Sequence, residues 1–423
     1  MTLHPLPGPV AALDADVRVP TSKSLTNRAL IAAAAADGGQ IVRPLECEDT
    51  RLLSEALRQA GWPLDWGDSI RIGAREPVPR ARVDLGNSGT GSRLILGLLA
   101  SVPGSFTVDG TPRLRERPMA PLITALHELG STIESRHGCL PVTLRGRRLD
   151  GGELRIRPGV SSQFVSSLLL AAPLMTRGLD LEVLGSVPSR PYLDLTHQVL
   201  AAFGATVETV GNRWRVDPGG LRGIAFTVEG DWSAMAFPAA AAAVVGGRVA
   251  ISPLTVESAQ GDRAVCEILR QAGVAVDFVG ETVEVRGPAA RPFDADLEHT
   301  PDAFPALAVV AAAGPPGSVI RGLDHLKHKE SDRLAVMLDN LDRLGAVIEH
   351  ENAAIRVVRP FVRNRNRPIA VTAAADHRIA MAMAVAGLAT GGLELDDVEC
   401  VGKSFPGFWG MWEDLISGAE DPR

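Results

Sequence analysis

One pattern recurs six times along the 423 residues of this chain. A polar helix start leads into an alanine- and leucine-rich run, then a glycine stop, then a short β-prone stretch. The starts fall at Ser24, Gly89, Ser161, Asp231, Pro301 and Asp376, at intervals of roughly 65–75 residues. Between them lies a second recurring piece, an amphipathic helix that ends in glycine and leads to a strand. It spans residues 50–66, 118–133, 192–207, 262–276 and 332–348, with Gly61, Gly130, Gly204, Gly273 and Gly345 as the stops. Each unit therefore predicts two helices alternating with strands, an α/β repeat. Six such units make either two pseudo-symmetric halves of three or one continuous array.

A chain this long exceeds the size at which a single core keeps growing, so two domains or more are expected. The net charge of −7 argues against a general nucleic-acid binder and makes any anion site a local cluster of Arg and Lys. Cys47, Cys139, Cys266 and Cys400 show no metal-ligand spacing, so no metal site is expected and the thiols fit a reducing compartment. The first 20 residues carry no targeting pattern, and the greasiest run, 236–245, is too short for a bilayer. The expectation is a soluble cytoplasmic protein with no membrane partner.

The helix starts carry the chemistry. In the first, Thr21, Ser22 or Ser24 can cap a helix whose N–H groups and positive dipole end favour an anion, with Lys23 at its mouth and Arg28 one turn beyond Ser24. Alone, this stretch reads first as an exposed cap with solvated cations; repetition of the device argues for a site. The stretch GNSGTGSR, residues 86–93, is a Gly-rich turn that lets backbone approach an anion, but Ser92 stands where a P-loop lysine belongs, which excludes a nucleotide kinase. Ser161, Ser162 and Gln163 offer two hydroxyls and an amide at the third start, equally consistent with ordinary capping. Asp302 follows Pro301 where an Asp is commonly an N-cap. In KESDR, residues 329–333, the spacing predicts that Lys329 and Arg333 share a helical face.

Taken together, SKSLTNRALIAAA, GNSGTGSR, RERP, SSQFVSSLLL, PDA, KESDR, DHRIAMA and the KSFP tail resemble the 5-enolpyruvylshikimate-3-phosphate synthase family, in family order over nearly the whole length. The resemblance implies two pseudo-symmetric domains, each of three βαβαββ units in an inverse α/β barrel-like fold, with the active site in the interdomain cleft. The domains would be residues 19–228 and a discontinuous 1–18 plus 229–423. It implies transfer of the enolpyruvyl group of phosphoenolpyruvate to the 5-hydroxyl of shikimate 3-phosphate without a cofactor, by a monomer that glyphosate would inhibit. Asp302, Glu330 and Lys23 would carry the proton transfers. Lys23, Ser24, Arg28, Ser161, Ser162, Gln163, Ser189, Asp302, His325 and Lys329 would hold shikimate 3-phosphate. Lys23, Gly89, Arg117, Gln163, Arg333, Arg378 and Lys403 would hold phosphoenolpyruvate.

Two features of this chain depart from the family pattern: Ser88 stands where alanine is expected, and His325 where many members have Asn. Arg113 and Arg115 read as solvated charges. UDP-N-acetylglucosamine enolpyruvyl transferase shares fold and donor, but Pro112 occupies the place of its reactive cysteine, and the SSQ and KESDR set is foreign to it. A non-catalytic anion-binding repeat protein would have no use for Asp302 and Glu330 among so many cations.

Overall fold

Each of the six helix starts opens a helix. The computed structural model describes residues 3–157, 159, 161–187, 189–363 and 368–418. Its core helices are α1 (Lys23–Ala35), α2 (Gly89–Ala100), α3 (Gln163–Ala171), α4 (Trp232–Val245), α5 (Phe304–Ala313) and α6 (His377–Thr390). They are small or apolar on nearly every side and almost wholly buried, as expected of helices without a polar face. The second set, Glu48–Gln59, Ala120–Glu128, Pro191–Ala202, Val265–Gln271 and Arg333–Arg343, buries one face only. A sixth member, Phe408–Ser417, is built on aromatic residues and escaped the sequence pattern; Phe408 and Trp412 stack in it at 5.1 Å.

Each repeat also contributes a sheet. Among the described residues five sheets have four strands and one has three. Arg80–Asp84 runs parallel to Gly104–Asp109, which pairs antiparallel with Cys139–Gly146, itself in a hairpin with Thr132–Arg136. Three sheets recruit a distant strand: Ala225–Thr227 lies parallel to Gly39–Val42, Leu13–Arg18 parallel to Gly247–Ser252, and His4–Pro5 antiparallel to Leu393–Leu395.

The chain divides into two compact units, Thr21–Glu229 and Met1–Pro20 with Gly230–Arg423, each holding three core helices and three sheets. In the first unit α1, α2 and α3 pack on one another. The closest approach, α2 on α3, depends on Gly97, where a Cβ would lie 2.5 Å from the Ser167 carbonyl oxygen. The Ser167 hydroxyl donates to Arg93 O at 2.7 Å and accepts from Gly97 N at 3.1 Å, binding the two helices at that point. In the second unit α4, α5 and α6 pack in the same way, their alanines permitting close contact. Among the described residues no helix is long and apolar enough to cross a membrane.

Candidate active site

The unit Thr21–Glu229 gathers hydroxyls and cations at the first turns of its core helices. Of the three candidate caps, Ser22 closes α1, accepting from Leu25 N at 3.4 Å. Lys23 is buried and donates to Asp49 at 3.0 Å. Arg28 is fully buried; it donates to Ser24 O at 3.0 Å, Thr196 Oγ1 at 2.9 Å, Tyr192 O at 3.1 Å and Ser166 Oγ at 3.3 Å. These acceptors are hydroxyls and carbonyls, and none is a carboxylate. Burial pulls the guanidinium pKa down to about 10, with Tyr192 opposing. A buried cation compensated only by neutral oxygens is a seat for an anion.

Ser88 caps α2, accepting from Gly91 N at 3.2 Å, and Gly89 begins the helix. The Arg117 guanidinium lies directly over Gly89: a Cβ there would sit 2.4 Å from Nη1 and 2.6 Å from Cζ. Gln163 is held at both ends, its amide donating to Thr90 Oγ1 at 2.9 Å and its carbonyl accepting from Arg93 Nη1 at 2.7 Å. Ser161 accepts from Gln163 N at 3.3 Å, while the side chain of Ser162, at the N-cap position of α3, makes no capping bond. Ser189 is buried with a left-handed φ of 56°, and its carbonyl accepts from Tyr192 N. The two arginines read as solvated are both solvent-accessible, Arg115 forking onto Asp109 with two bonds of 2.8 Å and Arg113 pairing with Glu116 at 2.8 Å.

The other unit gathers carboxylates around cations. Asp302 sits in a 3-10 turn, Pro301–Ala303, just before α5. It does not cap. It accepts from Arg333 Nη1 at 2.9 Å and Arg378 Nη2 at 2.8 Å, with Lys329 Nζ 3.6 Å away. Burial works against its charge, but Arg378, Lys329 and Arg333 outweigh burial and the opposing Glu330, and hold the carboxyl well below the usual range. Arg333, fully buried, also donates to Glu330 at 3.0 Å and to both oxygens of Asp376 at 2.9 and 3.3 Å. Asp376 caps α6 through Arg378 N at 3.0 Å. His325 is buried, and burial together with Lys329 lowers its pKa to about 3 against the pull of Asp302, so it is neutral; its Nε2 has no hydrogen-bond partner. Lys403 is buried in a 3-10 turn, Glu399–Lys403, packed on α6.

The expected shared helical face in KESDR is not what forms. The side chain of Asp332 accepts from Ala335 N and starts the helix at Arg333, leaving Lys329 at the end of the preceding turn, Asp324–His328. Both cations reach Asp302 all the same. The sequence reading missed Asp49, Thr196 and Ser166, which no spacing flags. It gave no site role to Arg93 or to the helix start Asp376, which stand inside quoted motifs at the offsets where Arg28 and Asp231 stand in theirs.

The chain matches the EPSP synthase (3-phosphoshikimate 1-carboxyvinyltransferase) family over residues 8–412. It is 41% identical over 413 residues to the 3-phosphoshikimate 1-carboxyvinyltransferase of Methanoculleus marisnigri, covering 95% of this chain and 96% of that one. Its identity to the protein of the same name from Mycobacterium ulcerans is 38%, with 99% of each covered. The solved EPSP synthase of Acinetobacter baumannii superposes with a TM-score of 0.79 at 27% identity, covering 98% of both chains.

Proposed function

Because the chain belongs to the EPSP synthase family, we propose that it joins phosphoenolpyruvate to the 5-hydroxyl of shikimate 3-phosphate and releases phosphate. Carbon C3 of the enol takes a proton while the hydroxyl oxygen bonds to C2 and gives up its own. The resulting ketal phosphate then loses a C3 proton and its phosphate, restoring the enol. Asp302 takes the hydroxyl proton, and Glu330 and Lys23 exchange protons with the enol carbon and the departing phosphate. The observation that carries this reading is the carboxylate of Asp302, kept ionised by Arg333, Arg378 and Lys329. An anionic substrate that draws those cations to itself restores the basicity of Asp302 at the moment of use.

Shikimate 3-phosphate is assigned to Lys23, Ser24, Arg28, Ser161, Ser162, Gln163, Ser189, Asp302, His325 and Lys329. The uncompensated Arg28 supports an anionic group there, and the hydroxyls of the α3 start, Ser161 with its donor proton and Ser162, suit a phosphate. A neutral His325 with an unsatisfied Nε2 fits a ring hydroxyl better than a phosphate. Phosphoenolpyruvate is assigned to Lys23, Gly89, Arg117, Gln163, Arg333, Arg378 and Lys403. Under this reading the chain is a monomeric cytoplasmic enzyme, with no cofactor required. The test is phosphate release on mixing both substrates. Release with either substrate alone, or none with both, overturns it.

Gly89 gives a sharper check. A methyl group there meets the far end of the Arg117 side chain rather than backbone, so the guanidinium moves aside and the fold survives. Gly89→Ala is therefore expected to keep the wild-type melting temperature while raising KM for phosphoenolpyruvate. Glyphosate, a longer ligand for the same pocket, should lose more affinity than the substrate. Inhibition measured at varied phosphoenolpyruvate decides; equal losses for inhibitor and substrate refute the steric argument. The further comparison is Gly89→Ala in an Arg117→Ala background, where the substrate penalty should largely vanish.

A further inference from the structure

Between the strand Ile369–Val371 and the cap of α6 at Asp376 the backbone leaves its ordinary regions. Ala374 and Ala375 are both left-handed, with φ of 50° and 54°. Neither is glycine or asparagine, so each conformation is strained by its own Cβ and must be held from outside. The grip falls on the residues just before the turn. Asn340, fully buried on the helix Arg333–Arg343, donates its amide to Thr372 O at 2.8 Å. Its side-chain carbonyl accepts from Thr372 N at 3.0 Å. This reciprocal pair satisfies both backbone groups of Thr372 and fixes which way the amide points. Thr372 and Asp396 each follow the end of one of two paired parallel strands, Ile369–Val371 and Leu393–Leu395. The Thr372 hydroxyl donates to Asp396 at 2.6 Å and accepts from Ala374 N at 3.0 Å, while the other Asp396 oxygen accepts from Ala373 N at 2.8 Å. Asp376 N closes the turn on Ala373 O at 2.9 Å.

Asn340 stands seven positions after Arg333, two turns along the same face of one helix. That helix therefore holds the segment at two points, Arg333 on Asp376 and Asn340 on Thr372. We propose that Asn340 is a positioning residue: through Thr372 it keeps the Ala374–Ala375 turn left-handed and so fixes where Asp376 and Arg378 stand. The proposal rests on the enolpyruvyl-transfer reading above, in which Arg378 binds phosphoenolpyruvate. Arg378 follows directly on the turn and donates to Asp302 at 2.8 Å, so a turn that relaxes carries its guanidinium out of place.

Asn340→Ala should raise KM for phosphoenolpyruvate roughly tenfold, the effect of a binding group moved off its position, with kcat changed by less than about threefold. Ala375→Gly supplies the contrast, because glycine takes a left-handed φ without strain. In the wild-type background it should leave KM unaltered. In Asn340→Ala it should recover most of the lost affinity, since the turn then reaches its shape unaided. A buried amide that serves packing alone would lower Tm, leave KM unchanged below it and gain nothing from the glycine, which would overturn the proposal. Thr372→Val breaks the clasp from its half-buried end and should raise KM in the same direction. A wild-type KM in that variant would overturn the proposal even if Asn340→Ala did not fold.

A thermal double-mutant cycle reads the clasp without turnover. With Asn340 in place the turn is held left-handed, so Ala375→Gly removes strain and raises Tm. Without Asn340 the alanine turn has already relaxed, and the same glycine should raise Tm less or not at all. Thr372→Val in place of Asn340→Ala should give the same pattern. Equal Tm changes in the two backgrounds would refute the clasp whether or not phosphate is released. Coupled Tm changes with no phosphate released by any form would instead refute the enolpyruvyl-transfer reading and leave Asn340 as the residue that shapes the turn.

Discussion

Asp302→Ala is expected to lower kcat by about 10²–10⁴-fold, the usual worth of a positioned general base, while shikimate 3-phosphate still binds. The geometry adds a second, less obvious expectation. Asp302 occupies Arg378, Arg333 and Lys329. Removing it leaves those cations to the incoming anion, so KM for phosphoenolpyruvate should stay level or fall as kcat collapses. Steady-state phosphate release at varied phosphoenolpyruvate, with calorimetric binding of shikimate 3-phosphate alongside, tests both halves. Near-normal turnover would remove Asp302 from the acid–base role. A raised KM with intact kcat would make it a binding group instead. The carboxyl is depressed in the native state, so its ionised form stabilises the fold above the ordinary carboxylate range, and that contribution is lost as pH falls. Wild type should therefore lose more stability than Asp302→Asn on acidification.

The cap residues explain why so much of this arrangement was legible beforehand. In the first unit the caps of α1 and α2 are Ser22 and Ser88, and Ser162 takes the corresponding position in α3. A hydroxyl satisfies an N–H without cancelling the positive end of the helix, so these termini remain anion seats. In the second unit Asp231 and Asp376 cap α4 and α6, and Asp302 lies in the turn that leads into α5. The carboxylates of Asp231 and Asp376 satisfy N–H groups at those termini, and those of Asp376 and Asp302 hold arginines. Local sequence states both facts, because a cap acts within three residues of itself. Six starts with six apolar runs were visible for the same reason.

Partner choice was not local, and there the sequence fell silent. Nothing near Lys23 announces Asp49, 26 positions away. Arg28 finds Thr196 across 168 positions because the helix Pro191–Ala202 packs against α1. KESDR failed differently. Its spacing fits a helical face, but the capping strength of Asp332 moved the helix start past Lys329. The aromatic helix Phe408–Ser417 was missed because it shares none of the leucine and alanine pattern of its counterparts, though it fills the same place in its repeat.

Arg333→Ala should be the most damaging single change to the second unit. The guanidinium is fully buried and gives four hydrogen bonds to three carboxylates, those of Asp302, Glu330 and Asp376. Burial alone would lower its pKa; Asp376, Asp302 and Glu330 reverse that and raise it, so the charge is permanent. Without it, three acidic groups face one another, with Asp376 fully buried. Removing one partner of a buried ion cluster typically costs about 3–5 kcal/mol, and urea unfolding should show a loss of that order with an unchanged m-value. Arg333→Lys should recover part of the stability but little of the activity, because one ammonium cannot span the three acceptors that fix the angle between Asp302 and Glu330. The pH dependence supplies the control. Carboxyls released from Arg333 must shift upward, so Arg333→Ala should regain stability on mild acidification, where wild type loses it. A variant that unfolds at the wild-type urea concentration would make Arg333 a ligand-facing residue alone and dissolve the hub.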